Sequence, residues 1–194
     1  MSERVAVTVA IPVYNREHLV QRALASALAE DVPGLDVLVV DNCSTDGTWD
    51  ALRRYDDRRV RLVRNDRNLG LFGNFNRCLE LAHGTYLRFL CSDDVLAAGC
   101  LPREVAMMDA HPGVALLSTR YRKVDASGHD RGYAANLFPP GIYPGEASIP
   151  AVLWCLAHHS SNPLNYPSGV LLRAESARAA GQFDTSYRMT GDVD

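Results

Sequence analysis

The sequence contains no uninterrupted apolar run long enough to cross a bilayer. Its first residues, Met1-Ser2-Glu3-Arg4, lead straight into a strand-like stretch without a signal-peptide pattern. A cytoplasmic protein with no transmembrane segment is the expectation. Charge of one sign is also scarce. A formal net charge of −3 gives no electrostatic reason to expect nucleic acid or an anionic membrane as the main partner. No C-x-x-C pair occurs among Cys43, Cys78, Cys91, Cys100 and Cys155, and no histidine stands near them at zinc-ligand spacing. These cysteines read as small core residues in a reducing compartment. No G-x-G-x-x-G follows the first apolar run, which removes the dinucleotide oxidoreductases. Internal repeats and low-complexity tracts are missing as well.

What is present fits one globular α/β unit. The 194 residues, 47% hydrophobic and 22% charged, suffice for one sizeable core but hardly for a second full domain. Residues 5–11 form a continuous β-branched run suited to a strand covered on both faces, and Pro12 is expected to end it. Asn15 is placed to cap a helix over 16–29, with Leu19, Ala23, Leu24, Ala27 and Leu28 on one face. A second strand follows at 35–40, giving a β-α-β unit with parallel strands. Residues 49–55 read as a helix and 60–64 as a half-exposed strand. A further helix carries Phe75, Leu79 and Ala82 as its buried stripe, with Gly84 as its stop after His83. The next strand spans 85–90, followed by a helix at 101–111 and a strand at 114–119. Residues 120–124 either extend that strand or pair back in a hairpin. Between 125 and 146 the composition suggests a long loop. Residues 148–159 read as a helix and 167–173 as a strand. His158 and His159 lack partners at ligand spacing, so capping or acceptor contact suits them better than metal binding.

Chemistry concentrates where apolar runs end. Tyr86-Leu87-Arg88-Phe89-Leu90-Cys91-Ser92 stops at two adjacent carboxylates, Asp93 and Asp94. Carboxylates beyond the carboxyl end of a strand in an open α/β sheet face the binding crevice. Magnesium and manganese take oxygen ligands, commonly one or two carboxylates plus substrate phosphates. The plainer alternative is that Asp93 or Asp94 forms a turn or caps the following helix. The second strand ends similarly, in Asp41-Asn42-Cys43-Ser44-Thr45-Asp46-Gly47-Thr48, a loop of turn and cap formers.

Four segments in order, Ile11-Pro12-Val13-Tyr14-Asn15, residues 40–48, Asn68-Leu69-Gly70 and Ser92-Asp93-Asp94, resemble the nucleotide-binding half of family 2 glycosyltransferases. Phe183-Asp184 and Gly191-Asp192-Val193-Asp194 are similar to the segment carrying that family's catalytic aspartate. The resemblance implies a GT-A fold: one domain with a Rossmann-like, mostly parallel sheet and helices on both faces. Residues 1–96 would form the nucleotide-sugar half and 97–194 the acceptor half. It also implies that the chain stops where family members continue, so that Asp192 would not be held firmly. Pro12 and Tyr14 would border base and ribose, and Asp41 and Asn42 would hold the base edge. Asp93 would contact ribose or sugar, Asp94 the metal, manganese or magnesium, and Asp192 would be the general base of an inverting transfer. Asn42 stands where many relatives carry a second aspartate. Its carbonyl can accept from a uracil or thymine N3–H, which favours a UDP- or dTDP-sugar. The sequence leaves the acceptor unidentified among saccharide, lipid-linked and small-molecule hydroxyls. Two other classes stay open: a sugar-nucleotide nucleotidyltransferase, which would call for a glycine-rich basic loop after the first strand, and a non-catalytic nucleotide-sugar-binding module, which would not need Asp192.

Overall fold

The computed structural model describes residues 5–125, 127–133, 138–150 and 167–186. Strands β1 (Val7–Val13), β2 (Leu35–Asp41), β3 (Val60–Arg64), β4 (Tyr86–Phe89), β5 (Leu116–Ser118) and β8 (Val170–Arg173) make a six-stranded sheet in the order β3-β2-β1-β4-β8-β5. Strands β1 to β4 are mutually parallel, and β8 runs antiparallel between β4 and β5. The β-branched runs at 7–13 and 35–41 lie in the middle because nearly every side chain in them is buried, as a sheet covered on both faces requires.

The two faces separate cleanly. Val7, Val9, Ile11 and Val13 point to helices α1 (Val20–Leu28), α2 (Thr48–Leu52) and α4 (Cys100–Ala110), meeting Leu24, Leu52 and Leu101. Ala10, Leu38, Val40, Leu87 and Phe89 point the other way, to α3 (Gly70–Leu81) and α6 (Ala174–Ala179). Between α4 and α6 lie the hairpin β6 (Arg122–Val124) and β7 (Asp130–Tyr133), a helix α5 at 145–150, and a 3-10 turn at Pro167–Gly169.

Several boundaries depart from the sequence reading. Pro12 does not end β1. Pairing with β4 stops at Ala10, whose carbonyl accepts from Leu90 N, while Val13 O still accepts from Asn42 N on the opposite side. By the alternation of a strand, the amide position of Pro12 faces the β4 side beyond that last pair, so its missing N–H leaves no ladder partner unmet. Helix α1 starts at Val20, not at 16, because residues 16–19 form a preceding turn and Asn15 bonds elsewhere. Gly84 is not a helix stop. The chain passes so close to β1 there that a Cβ would lie 2.5 Å from Thr8 N and 2.6 Å from Tyr86 O. The long loop expected over 125–146 contains β7 and the start of α5.

Candidate active site

Sheet order reverses between β1 and β4, with β2 and β3 lying to one side and β8 and β5 to the other. Ligands bind in the crevice outside strand ends at such a switch point. A cavity of about 580 Å³ opens there, lined by Asn15, Arg16, Glu17, His18, Asp46 and Asp93. Its volume is in the range of small-molecule sites.

The β1–α1 and β2–α2 loops form one wall by interlocking. Asn15 adopts the left-handed region at φ 51, which asparagine tolerates better than most residues. Its amide donates to Ser44 Oγ at 2.9 Å, and its Oδ1 accepts from Thr45 N at 2.8 Å. Arg16 N donates to Thr48 Oγ1 at 2.8 Å, and Glu17 N to Asp46 Oδ2 at 3.4 Å. Desolvation pushes the Asp46 carboxyl upward, yet hydrogen bonds from Thr48 and Glu17 outweigh it and hold the pKa below the ordinary value. The amides of 15–17 are thus taken by side chains of the neighbouring loop. They form no free amide nest of the kind that cradles phosphate.

Asp41 and Asn42, expected at the base edge, turn inward. Asp41 is fully buried: Oδ1 accepts from Ser44 N at 3.1 Å and Ser44 Oγ at 2.5 Å, and Oδ2 is ion-paired with Arg64 Nε at 3.2 Å. Asn42 is buried too. Its Oδ1 accepts from Leu69 N at 2.9 Å and Asn65 Nδ2 at 3.0 Å, while Nδ2 donates to Asn68 Oδ1 at 2.8 Å and Gly70 O at 3.2 Å. The backbone partners Leu69 N and Gly70 O fix which end of the amide is oxygen. An amide has two acceptor and two donor positions, and all four are filled. A base could reach Asn42 only by displacing one of these partners. Asn65 passes the chain on to Asn74, which donates to Val40 O. Asn42 therefore welds the end of β2 to the turn preceding α3.

The end of β4 is built differently. Asp93 and Asp94 are exposed on a turn in which Asp94 N donates to Cys91 O. They do not cap α4. Its first turn is capped by Glu30 from the end of α1, whose carboxylate accepts from Gly99 N at 2.8 Å and Leu101 N at 2.7 Å. The Cys91 thiol and the Asp93 and Asp94 carboxylates can bring ligand atoms within 4.8 Å of one another. Two carboxylates suit a hard divalent cation, and the thiol adds a softer donor. Desolvation raises the Asp94 pKa, with the Asp93 charge adding to it, while Ser168 and the Arg88 charge pull it back. Asp93 lines the cavity, and Asp94 is exposed next to it. These groups fit a manganese or magnesium ion.

Of the residues singled out in the sequence, Pro12 is half-buried and Tyr14 is 38% exposed at the crevice end of β1. Asp192, His158 and His159 lie outside the described residues. Cys91 and Ser168 were missed. Cys91 stands two positions before Asp93 and was legible as a neighbour, whereas only folding brings Ser168 to this loop. Among the described residues no helix is long and apolar enough to cross a membrane.

Comparison with known proteins agrees with this geometry. The family model described as glycosyl transferase family 2 matches residues 8–152. The chain is 32% identical over 102 residues to the UDP-Glc:alpha-D-GlcNAc-diphosphoundecaprenol beta-1,3-glucosyltransferase WfgD of Escherichia coli, covering 53% of this chain and 40% of WfgD. Among solved structures, S. aureus TarS 1-349 in complex with UDP-GlcNAc superposes with a TM-score of 0.71 at 23% identity, over 90% of this chain and 47% of TarS. The mannosyltransferase PcManGT from Pyrobaculum calidifontis, in complex with GDP-Man and Mn2+, gives 0.66 at 24% identity, over 95% and 49%. These likenesses establish the GT-A fold. The chain spans about two fifths of WfgD's length and about half that of each structural relative.

Proposed function

The chain belongs to glycosyl transferase family 2, and from that premise we propose that it takes part in moving a sugar from a nucleoside diphosphate sugar to an acceptor hydroxyl, with inversion. The observation that carries this reading is the pair of exposed carboxylates at the end of β4, of which Asp93 lines the crevice opposite the β1–α1 loop and neither caps α4. With the amides of 15–17 already bonded, the diphosphate must find its countercharge elsewhere. Asp94 would hold manganese or magnesium, and Asp93 would lie against the ribose or sugar. The bound cation would neutralise the negative charge that grows on the diphosphate as the glycosidic bond breaks. Its proposed presence is supported by the donor set here and by the manganese named with PcManGT.

Tyr14, with its ring exposed beside Pro12, is placed to pack on base or ribose. Asp41 and Asn42 shape the wall behind it from within. We assign a pyrimidine donor, UDP- or dTDP-linked, in line with the UDP-sugars named for WfgD and TarS. PcManGT is named with GDP-Man, so the same fold also accommodates a purine. Asp192 is the proposed general base, removing the proton of the acceptor hydroxyl as that oxygen attacks the anomeric carbon. The acceptor is a hydroxyl-bearing saccharide, lipid-linked sugar or small molecule.

Calorimetry with UDP and GDP, in manganese and in chelator, tests the donor half of this reading. UDP should bind more tightly than GDP, and manganese should tighten UDP binding in the wild type but not in Asp94→Ala. Equal affinity with and without metal in the wild type would remove the assignment of Asp94. For the catalytic half, Asp192→Asn should leave donor affinity within about threefold and lower transfer by roughly two to four orders of magnitude. Undiminished transfer would place the base elsewhere.

A further inference from the structure

A buried ion pair lies beneath the Asp93-Asp94 turn with no part in the chemistry above. Arg88, in the middle of β4, is 3% exposed, and Glu104 on α4 is 5% exposed. Arg88 NH1 donates to Glu104 Oε2 at 2.8 Å, while Arg88 Nε has no hydrogen-bond partner among the described residues. Apolar side chains of similar size would hold such a position about as stably, because burying two charges costs much of what their attraction returns. What the pair does that apolar residues could not is grip a carbonyl. Arg88 NH2 donates to Ser168 O at 2.6 Å.

The 3-10 turn at Pro167–Gly169 is held from a second side as well. Gly169 O accepts from Thr119 N at 2.9 Å, and the Thr119 hydroxyl lies 3.2 Å from both Gly169 O and Glu104 Oε1. Fixed in this way, Ser168 presents its side chain to the loop after β4. Its Oγ accepts from Cys91 N at 2.8 Å. Cys91 is also the residue whose carbonyl accepts from Asp94 N, so this bond pins the turn that carries the Asp94 side chain.

We propose that Ser168, braced by the buried Arg88–Glu104 pair, is a positioning residue that orients the Asp94 carboxylate for a divalent cation. The inference rests on the proposed role of Asp94 as the metal ligand. A ligating carboxylate carried on a turn that is fixed from outside is presented in a set direction, and loss of such a supporting contact typically costs ten- to a hundredfold in metal affinity. Ser168 stands two residues before β8, so the segment that brings the second half of the chain back into the sheet would also aim the carboxylate.

The test is manganese binding in the presence of UDP, measured by calorimetry on the wild type, Ser168→Ala, Ser168→Thr and Asp94→Ala, with UDP binding in chelator and thermal unfolding recorded for each. Ser168→Ala should weaken manganese binding roughly tenfold or more, leave UDP affinity in chelator unchanged, and unfold close to the wild type. Ser168→Thr keeps the hydroxyl and should recover most of the manganese affinity. Unchanged manganese affinity in Ser168→Ala, or a loss of equal size in chelator, overturns the inference while the role of Asp94 stands. Retained metal dependence in Asp94→Ala overturns the metal assignment itself, and this inference with it.

Discussion

The loops after β2 and β4 begin alike, each placing a pair of short polar side chains at the end of a buried parallel strand, yet they have opposite fates. Asp41 and Asn42 are buried, and their oxygens and nitrogens are engaged by Ser44, Arg64, Asn65, Asn68, Leu69 and Gly70. Asp93 and Asp94 are exposed, and Glu30 performs the capping that would otherwise occupy them. A polar pair at a strand end is thus not a binding site by its composition. Its side chains stay accessible when other residues satisfy the local backbone, as Glu30 does at the start of α4. The β2 loop shapes the crevice, and the β4 loop offers it charge.

The sharpest way to break this contrast is Asn42→Asp. A carboxylate there loses both donors and faces Asn68 Oδ1 and Gly70 O with a like partial charge, so unfolding in urea should show a loss of about 3 kcal/mol. UDP and GDP should lose affinity by similar factors. A variant of wild-type stability whose preference among bases had changed would restore Asn42 as a direct base contact. On the β4 side, the same urea titration of Asp94→Ala should differ from the wild type by no more than about 0.5 kcal/mol.

A smaller effect separates the loops by pH. Desolvation, helped by Asp93, holds the Asp94 carboxyl above its ordinary value. A cation binds the deprotonated form, so protons compete with it more strongly than at an unperturbed aspartate. At manganese concentrations well below saturation, where the metal does not itself displace the proton, the manganese-linked gain in UDP affinity should therefore fade as pH drops, with its midpoint above the usual aspartate value of about 3.9. A midpoint at or below that value would mean that Asp94 does not carry the metal effect.

The strands were legible because their signal is local. Residues 7–13, 35–41 and 60–64 carry their own hydrophobic pattern, and the observed spans differ from the sequence reading by only a residue or two at either end. The start of α1 was not legible, since the partners of Asn15 are Ser44 and Thr45 on another loop. Nor did composition reveal the β6–β7 hairpin, whose pattern is masked by exposed, mostly charged residues. At the proposed site, motif order singled out Asp93 and Asp94, which lie exposed at the end of β4. The engagement of Asn42 depends on Leu69 and Gly70, and the bond that pins Cys91 N depends on Ser168, contacts that exist only once distant segments have met.

The place of β8 in the sheet bears on how the protein is made. During synthesis β4 can pair with β1 as soon as it emerges, but its other edge stays open until residues 170–173 arrive, and β5 likewise waits for β8 as its neighbour. Contacts this far apart in sequence form late, and an unpaired strand edge is a template for association with another chain. The open edge belongs to the strand that ends in the two carboxylates. A nascent chain therefore completes its parallel strands early, while the Pro167–Gly169 turn meets Cys91 only when the antiparallel strand has slid in beside β4.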